Sequence, residues 1–135
     1  MKSPPPFNEA SMWKAGFLIV GLLASGMAHA KSLRRAAEPI GGPRSWESQN
    51  DYPSRAIREQ VGGTTSFRLT VRPDGSVSNC EITVSSGHEN LDQATCWAAL
   101  QRARFAPARD RAGRPTIGTF AYYRQWIPPV RRYEH

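Results

Sequence analysis

The side chains able to do chemistry are few. Two cysteines, Cys80 and Cys96, and three histidines, His29, His88 and His135, are the whole supply of thiols and imidazoles in 135 residues. His88 stands in a polar stretch beside Ser85 and Ser86, so a Ser–His nucleophile is the first arrangement to weigh. Such a pair needs an orienting acid and an oxyanion hole, and Glu89 offers itself only by being next in sequence. The cysteines are not spaced as a C-x-x-C redox pair, and two thiols without a neighbouring histidine do not make a zinc site. Asp74 before Gly75 invites a calcium reading, but one carboxylate cannot fill the roughly six to eight oxygen positions that ion takes. No glycine-rich loop follows a strand pattern, so nucleotide phosphates find no cradle. The expectation is a protein with no catalytic residue, no metal and no cofactor, hence not an enzyme.

Charge directs attention to partners instead. Eighteen Lys and Arg against eleven acids give a formal charge of +7, which favours anionic surfaces in general: nucleic acid, anionic lipid, lipopolysaccharide or an acidic protein. The N-terminus narrows these. Residues 15–28 (AGFLIVGLLASGMA) form an apolar run of 14, preceded by Lys14 and followed by the small-x-small pattern Ala28-His29-Ala30. A spanning helix wants roughly 20 apolar residues, so residues 1–30 read as an export signal cleaved after Ala30, with an uncleaved anchor over 13–30 as the alternative. Export sets nucleic acid aside, and leaves membrane contact to the N-terminal segment if it is retained. In an oxidising compartment two cysteines predict one disulfide. Cys80 falls on the inward face of a strand and Cys96, 16 positions on, within a predicted helix; if that helix packs on that strand the sulfurs meet. A loop of this size is worth roughly 3 kcal/mol in the chain-entropy account.

The element everything else must cover is a hairpin, Thr64 to Val84. Thr65, Phe67, Leu69 and Val71 alternate with Ser66, Arg68, Thr70 and Arg72, the period of a strand with one buried face. Pro73-Asp74-Gly75 supplies turn chemistry, and the return strand puts Cys80, Ile82 and Val84 on one face. A two-stranded ribbon is marginal alone. Cover is expected from a short helix after Asp51-Tyr52-Pro53, ended by Gly62-Gly63, and from a longer one over Leu91 to about Arg104. The longer helix shows a Cys96, Ala99, Leu100, Ala103 stripe, with Asn90 and Gln93 as a capping pair and Asp92 as charge at its N-terminus. A last strand, Thr116 to Ile127, carries Phe120, Tyr122 and Trp126 on one face and Thr119, Ala121 and Tyr123 on the other. The predicted fold class is therefore α+β: a small two-layer fold in the order helix-strand-strand-helix-strand, with a three-stranded antiparallel sheet packed by helices. Residues 31–45 read as a flexible linker, 46–127 as the domain and 128–135 as a tail.

The last strand arrives by way of a helix, which predicts that it lies at the sheet's edge. Free N–H and C=O groups on an edge recruit other strands, and here Arg124 with Pro128 and Pro129 blunts the edge only in part. Two readings stand: a strand whose aromatics simply cover the sheet, or an acceptor for a partner peptide by strand addition.

Over Trp46 to Ile127 the residues resemble the C-terminal domain of the TonB family, periplasmic energy transducers of Gram-negative bacteria. The resemblance rests on Tyr52-Pro53-x-x-Ala56, then Phe67-x-Leu69-x-Val71-x-Pro73-Asp74-Gly75-x-Val77. Val84-Ser85-Ser86-Gly87 with Leu91-Asp92-x-Ala94 follows, and Phe105-x-Pro107-Ala108 completes it. The Cys80/Cys96 pair is similar to a branch whose second helix carries Ala-Thr-Cys. The resemblance implies a periplasmic module that takes the short box of an outer-membrane receptor as an added strand along Thr116, Gly118, Phe120, Tyr122, Arg124 and Trp126. Gln49, three residues before Tyr52-Pro53, is implicated with them. A full transducer of this family has an anchor bearing a histidine and a long Pro-rich spacer. Residues 15–28 contain no histidine, and the expected linker is about 15 residues long. The reading is an exported TonB-like binding module for transport across the envelope. The alternative is a stand-alone envelope adaptor that holds an anionic polymer or another protein through its basic face. Homodimerisation is left open.

Overall fold

The computed structural model describes residues 31–132. The expected export signal and the last residues of the expected tail lie outside them. Among the described residues no helix is long and apolar enough to cross a membrane.

The alternation in Thr64–Val84 produces the predicted hairpin. Strand β1 (Glu38–Pro39) comes first, then a single 3-10 turn (Gln49–Asp51) and helix α1 (Ser54–Glu59). The hairpin strands are β2 (Gly63–Val71) and β3 (Val77–Val84), followed by helix α2 (Glu89–Arg102). Three two-residue strands, β4 (Phe105–Ala106), β5 (Ala108–Arg109) and β6 (Pro115–Thr116), lead to the long β7 (Gly118–Trp126). The main sheet has the order β3-β2-β7 and is antiparallel throughout. β2 is its centre, and Thr65, Phe67, Leu69 and Val71 are buried while Thr64 and Arg68 face outwards.

The turn does more than reverse the chain. Asp74 Oδ1 accepts hydrogen bonds from the Ser76 amide and hydroxyl, at 2.9 and 2.6 Å, the local bonding that makes Asp favoured in turns. Gly75 has φ of 88°, and a Cβ there would lie 2.2 Å from the Phe105 carbonyl oxygen. The Phe105 amide in turn donates to the Gly75 carbonyl at 2.9 Å. The hairpin tip is therefore docked on β4, and only glycine permits both the left-handed backbone and that approach.

α2 covers the inward face of the sheet. Small residues, Ala98, Ala99 and Ala103, sit at the contact and let the helix approach closely. The stripe is rotated from the expected one: Thr95 and Ala98 are inside and Leu100 is outside. Thr95 is drawn in by a hydrogen bond, since its Oγ1 accepts from Trp126 Nε1 at 3.0 Å while donating to the Leu91 carbonyl at 2.8 Å. The expected capping pair does not form; Gln93 Nε2 donates to Glu89 and Asn90 Oδ1 accepts from the Leu91 amide. Asp92 has a larger role than a helix-end charge. It is buried and accepts from Thr65 Oγ1, Ser85 Oγ, Ser86 Oγ and the Ser86 amide. Burial works against its charge, but these bonds outweigh it and hold the carboxyl below its ordinary value. Ser85 and Ser86 are thereby committed to α2 and its entry loop. Cys80 and Cys96 form the disulfide, tying β3 to α2.

The segment expected to be a linker is instead paired from its first residues. The Leu33 amide donates to the Arg111 carbonyl, Arg35 bridges Arg109, β1 pairs with β4, and the Ile40 amide donates to the Arg104 carbonyl. The folded unit starts at Leu33, not near Trp46. A ladder this short carries too little side-chain alternation to be read as strand, so proline and glycine dominate its appearance in sequence.

Candidate partner-binding site

The site expected from the sequence is β7 and the Gln49–Tyr52 turn, and both can now be placed. Antiparallel pairing joins all nine residues of β7 to β2, from Gly118 opposite Val71 to Trp126 opposite Gly63. Among the described residues no strand lies on the other side of β7. In an antiparallel edge strand about half of the residues turn their N–H and C=O groups away from the sheet. None of the loop-made backbone hydrogen bonds among the described residues reaches β7. Thr116 is not part of this strand; it pairs with Ala108 in β6, and Ile117 separates the two.

Phe120 and Tyr122, on the inward face of β7, link Phe105 of β4 to Tyr123 on the outward face in a continuous series of rings. Phe105 meets Phe120 edge-on at 5.2 Å, Phe120 stacks on Tyr122 at 5.9 Å, and Tyr122 stacks on Tyr123 at 5.0 Å. Phe120 and Tyr122 are half-buried and Tyr123 is exposed, so the series runs from the core towards the solvent face of the sheet. Gly118 admits no side chain, because a Cβ there would lie 2.6 Å from that of Ala108.

At the far end of β7 the predicted residues converge, but mostly as a floor rather than as exposed contacts. Tyr52 packs edge-on against Trp126 with ring centres 5.1 Å apart, and its hydroxyl donates to the Val61 carbonyl. Burial pushes the Tyr52 phenol up from its ordinary value. The Arg124 guanidinium lies 3.8 Å above the Trp126 ring. Its nitrogens donate to Asp51 Oδ2 at 3.1 Å and to the Ser48 carbonyl at 2.9 Å. Arg124 therefore does not blunt the edge as expected: its side chain is buried and bound to the 3-10 turn. Pro53 is half-buried at the start of α1, and Gln49 is exposed on the turn's rim.

Asp51 holds this corner together, and sequence reading had not singled it out. Its side chain is 4% exposed and its Oδ2 receives Arg124, Arg102 Nη2 and the Ser48 amide. Ser48 Oγ in return accepts from the Asn50 amide, closing a capping box around the turn. Arg102 also donates to the Trp46 carbonyl at 3.0 Å. Burial alone would raise the Asp51 carboxyl, but the hydrogen bonds from Arg102, Arg124 and Ser48 bring it below its ordinary value. Nearby Glu47 has no such bonds among the described residues; its burial raises it despite Arg124 and Arg44. The only signal in the sequence was the spacing Ser48-x-x-Asp51, a capping pattern.

Between this turn and the end of β7 lies a groove of about 320 Å³, with Arg44, Glu47, Gln49, Tyr52, Arg124 and Gln125 among its walls. Its lining is hydrogen-bonding and charged, suited to a polar main chain more than to a large apolar ligand. Among the described residues there is no cluster of acids, His or Cys arranged to hold a metal ion. His88 begins α2 without a side-chain cap, and Ser86 Oγ accepts from its amide.

Residues 48–123 match the family of the Gram-negative bacterial TonB protein C-terminal. Protein tonB2 of Pseudomonas aeruginosa is 41% identical over 59 residues, which are 44% of this chain and 22% of that protein. Protein TonB of Escherichia coli K12 is 29% identical over 92 residues, 67% of this chain and 38% of that protein. Protein TonB of Haemophilus influenzae is 43% identical over 51 residues, 38% of this chain and 19% of that protein. The chain thus spans well under half the length of these relatives. With the family matched over more than half of its residues and an antiparallel sheet of the expected order, this chain belongs to the TonB C-terminal domain family.

Proposed function

We propose that this domain acts in the periplasm as a binding module for transport, taking an extended segment of an outer-membrane receptor as an added strand on β7. The observation that carries the reading is a nine-residue strand at the end of the order β3-β2-β7, with no strand among the described residues on its outer side. A guest strand there extends the sheet by main-chain hydrogen bonds, and side-chain contacts to the exposed Tyr123 and the turn bearing Gln49 add selectivity. Tyr52, Arg124 and Trp126 serve by fixing the turn against the strand. Support also comes from family membership and from the apolar run at residues 15–28, which suits export.

The test is a titration of isotope-labelled protein with a receptor-box peptide, following backbone amides. Shifts along 118–126 and at Gln49 are expected, and a proline at the peptide's centre is expected to abolish them because it removes a ladder donor. A peptide that binds without moving the amides of 118–126, or no binding at all, refutes the proposal.

A further inference from the structure

At the other end of β7, the 33–37 segment, β5 and β6 lie side by side. Arg35 and Arg109 are directly opposed: each amide donates to the other's carbonyl, at 3.0 and 2.9 Å. Leu33 stands opposite Arg111 two residues along the same register. Side chains at such positions leave the ladder on one face, so Leu33, Arg35, Arg109 and Arg111 share it. Like charges directly opposed across a ladder are destabilising, yet no ion pair among the described residues involves Arg35, Arg109 or Arg111. The nearby acid, Asp110, is taken by Arg114 at 3.3 Å and by the amides of Ala112 and Arg114. Two large apolar side chains of these segments stand in the open: Leu33 is 55% exposed, and Ile117, directly after β6, is 66% exposed.

We propose that this end of the domain docks on an anionic phospholipid bilayer, its arginines on the headgroup phosphates and Leu33 and Ile117 in the interfacial layer. Guanidinium groups pair with phosphate oxygens in two-pronged fashion. Basic residues interleaved with exposed aliphatic ones are the composition of surfaces that lie in a charged membrane interface. A soluble polyanion would use the arginines but gain nothing from exposed Leu33 and Ile117. The sequence points the same way, since the apolar run 15–28 precedes this segment by only a few residues. The docking surface adjoins the strand-addition edge only at its Gly118 end. Gly118, beside Ala37 and Ala108, begins β7 and Trp126 ends it, some 26 Å away at strand rise.

The test uses the full chain with lipid nanodiscs carrying a nitroxide on the headgroup, either pure phosphatidylcholine or roughly one-third phosphatidylglycerol. Amide signals of 33–35 and 109–117 are expected to broaden in the anionic discs and not in the neutral ones. Arg35→Glu with Arg111→Glu is expected to cut that broadening at least fivefold, roughly the factor per arginine at an anionic surface. Arg35→Gln with Arg111→Gln reports the same loss should the double reversal disturb folding. Arg58→Glu, at the far end, is expected to leave the broadening in place. Equal broadening in both lipids, or none, overturns the proposal. So does protection of the same amides by dextran sulfate without any lipid response, which assigns the face to a polymer.

Discussion

Removing the Asp51 carboxylate tests whether the turn and β7 are held by charge. In Asp51→Ala, Arg124 keeps the Ser48 carbonyl and the face of Trp126 but no counter-charge, in a pocket where its side chain is 8% exposed, and Arg102 keeps the Trp46 carbonyl. Breaking a buried pair by deleting one member costs about 3–5 kcal/mol, and the half-exposed Arg102 adds little to that. Asp51→Asn keeps the shape and one acceptor, so about half the loss is expected. The pH dependence gives the argument its sign. Asp51 is held below its ordinary value in the folded protein, so its contribution is complete above the unfolded carboxyl value of about 3.9. It disappears as pH falls through the lower folded value. Urea unfolding followed by tryptophan fluorescence, at about pH 7 and again near pH 3, measures both terms, with the slope against urea unchanged if the denatured state is the same. A large gap between wild type and Asp51→Asn at neutral pH that narrows on acidification is expected. A gap under about 1 kcal/mol, or one that acid leaves untouched, refutes the account.

Two further substitutions probe the frame around the site. Gly75→Ala should lower unfolding stability by well over 2 kcal/mol, because strain at φ of 88° is joined by a clash with the Phe105 carbonyl. Gly87→Ala shares a φ of 90° but meets open space, so only about 1 kcal/mol is expected; equal losses would show that the approach to β4 is unimportant. Thr95→Val preserves shape while leaving Trp126 Nε1 without its acceptor, and a cost of about 1–3 kcal/mol is expected in the same urea assay. A neutral result would mean the indole finds water instead.

Local patterns were legible in the sequence, and distant pairings were not. Thr65, Phe67, Leu69 and Val71 announced β2 because one buried face leaves a period of two, and Pro73-Asp74-Gly75 announced its turn because few residues accept that backbone. The edge position of β7 followed from connection order alone. Asp51 meets Arg124 across 73 residues and Arg102 across 51, and nothing in composition marks which acid faces which base. Asp92 looked like a helix-end charge because its acceptor role depends on Thr65, 27 residues earlier. The rotation of α2 had a similar cause: a hydrogen bond from Trp126 turned a polar Thr95 inward and left Leu100 in solvent. Residues 33–40 were misread because their partners, 104–111, lie past the whole hairpin and helix.

The disulfide fastens the edge of the sheet farthest from β7. β3 and α2 are covalently one body through Cys80 and Cys96, whereas β7 is kept by its ladder to β2 and by the side chains of its inner face. Stress entering sideways at the outer strand would spread over nine backbone pairs in shear before it reached the disulfide. The molecule is thus bolted at its back and hinged only by reversible contacts at its front, an arrangement that lets the front yield and re-form without the rest coming undone.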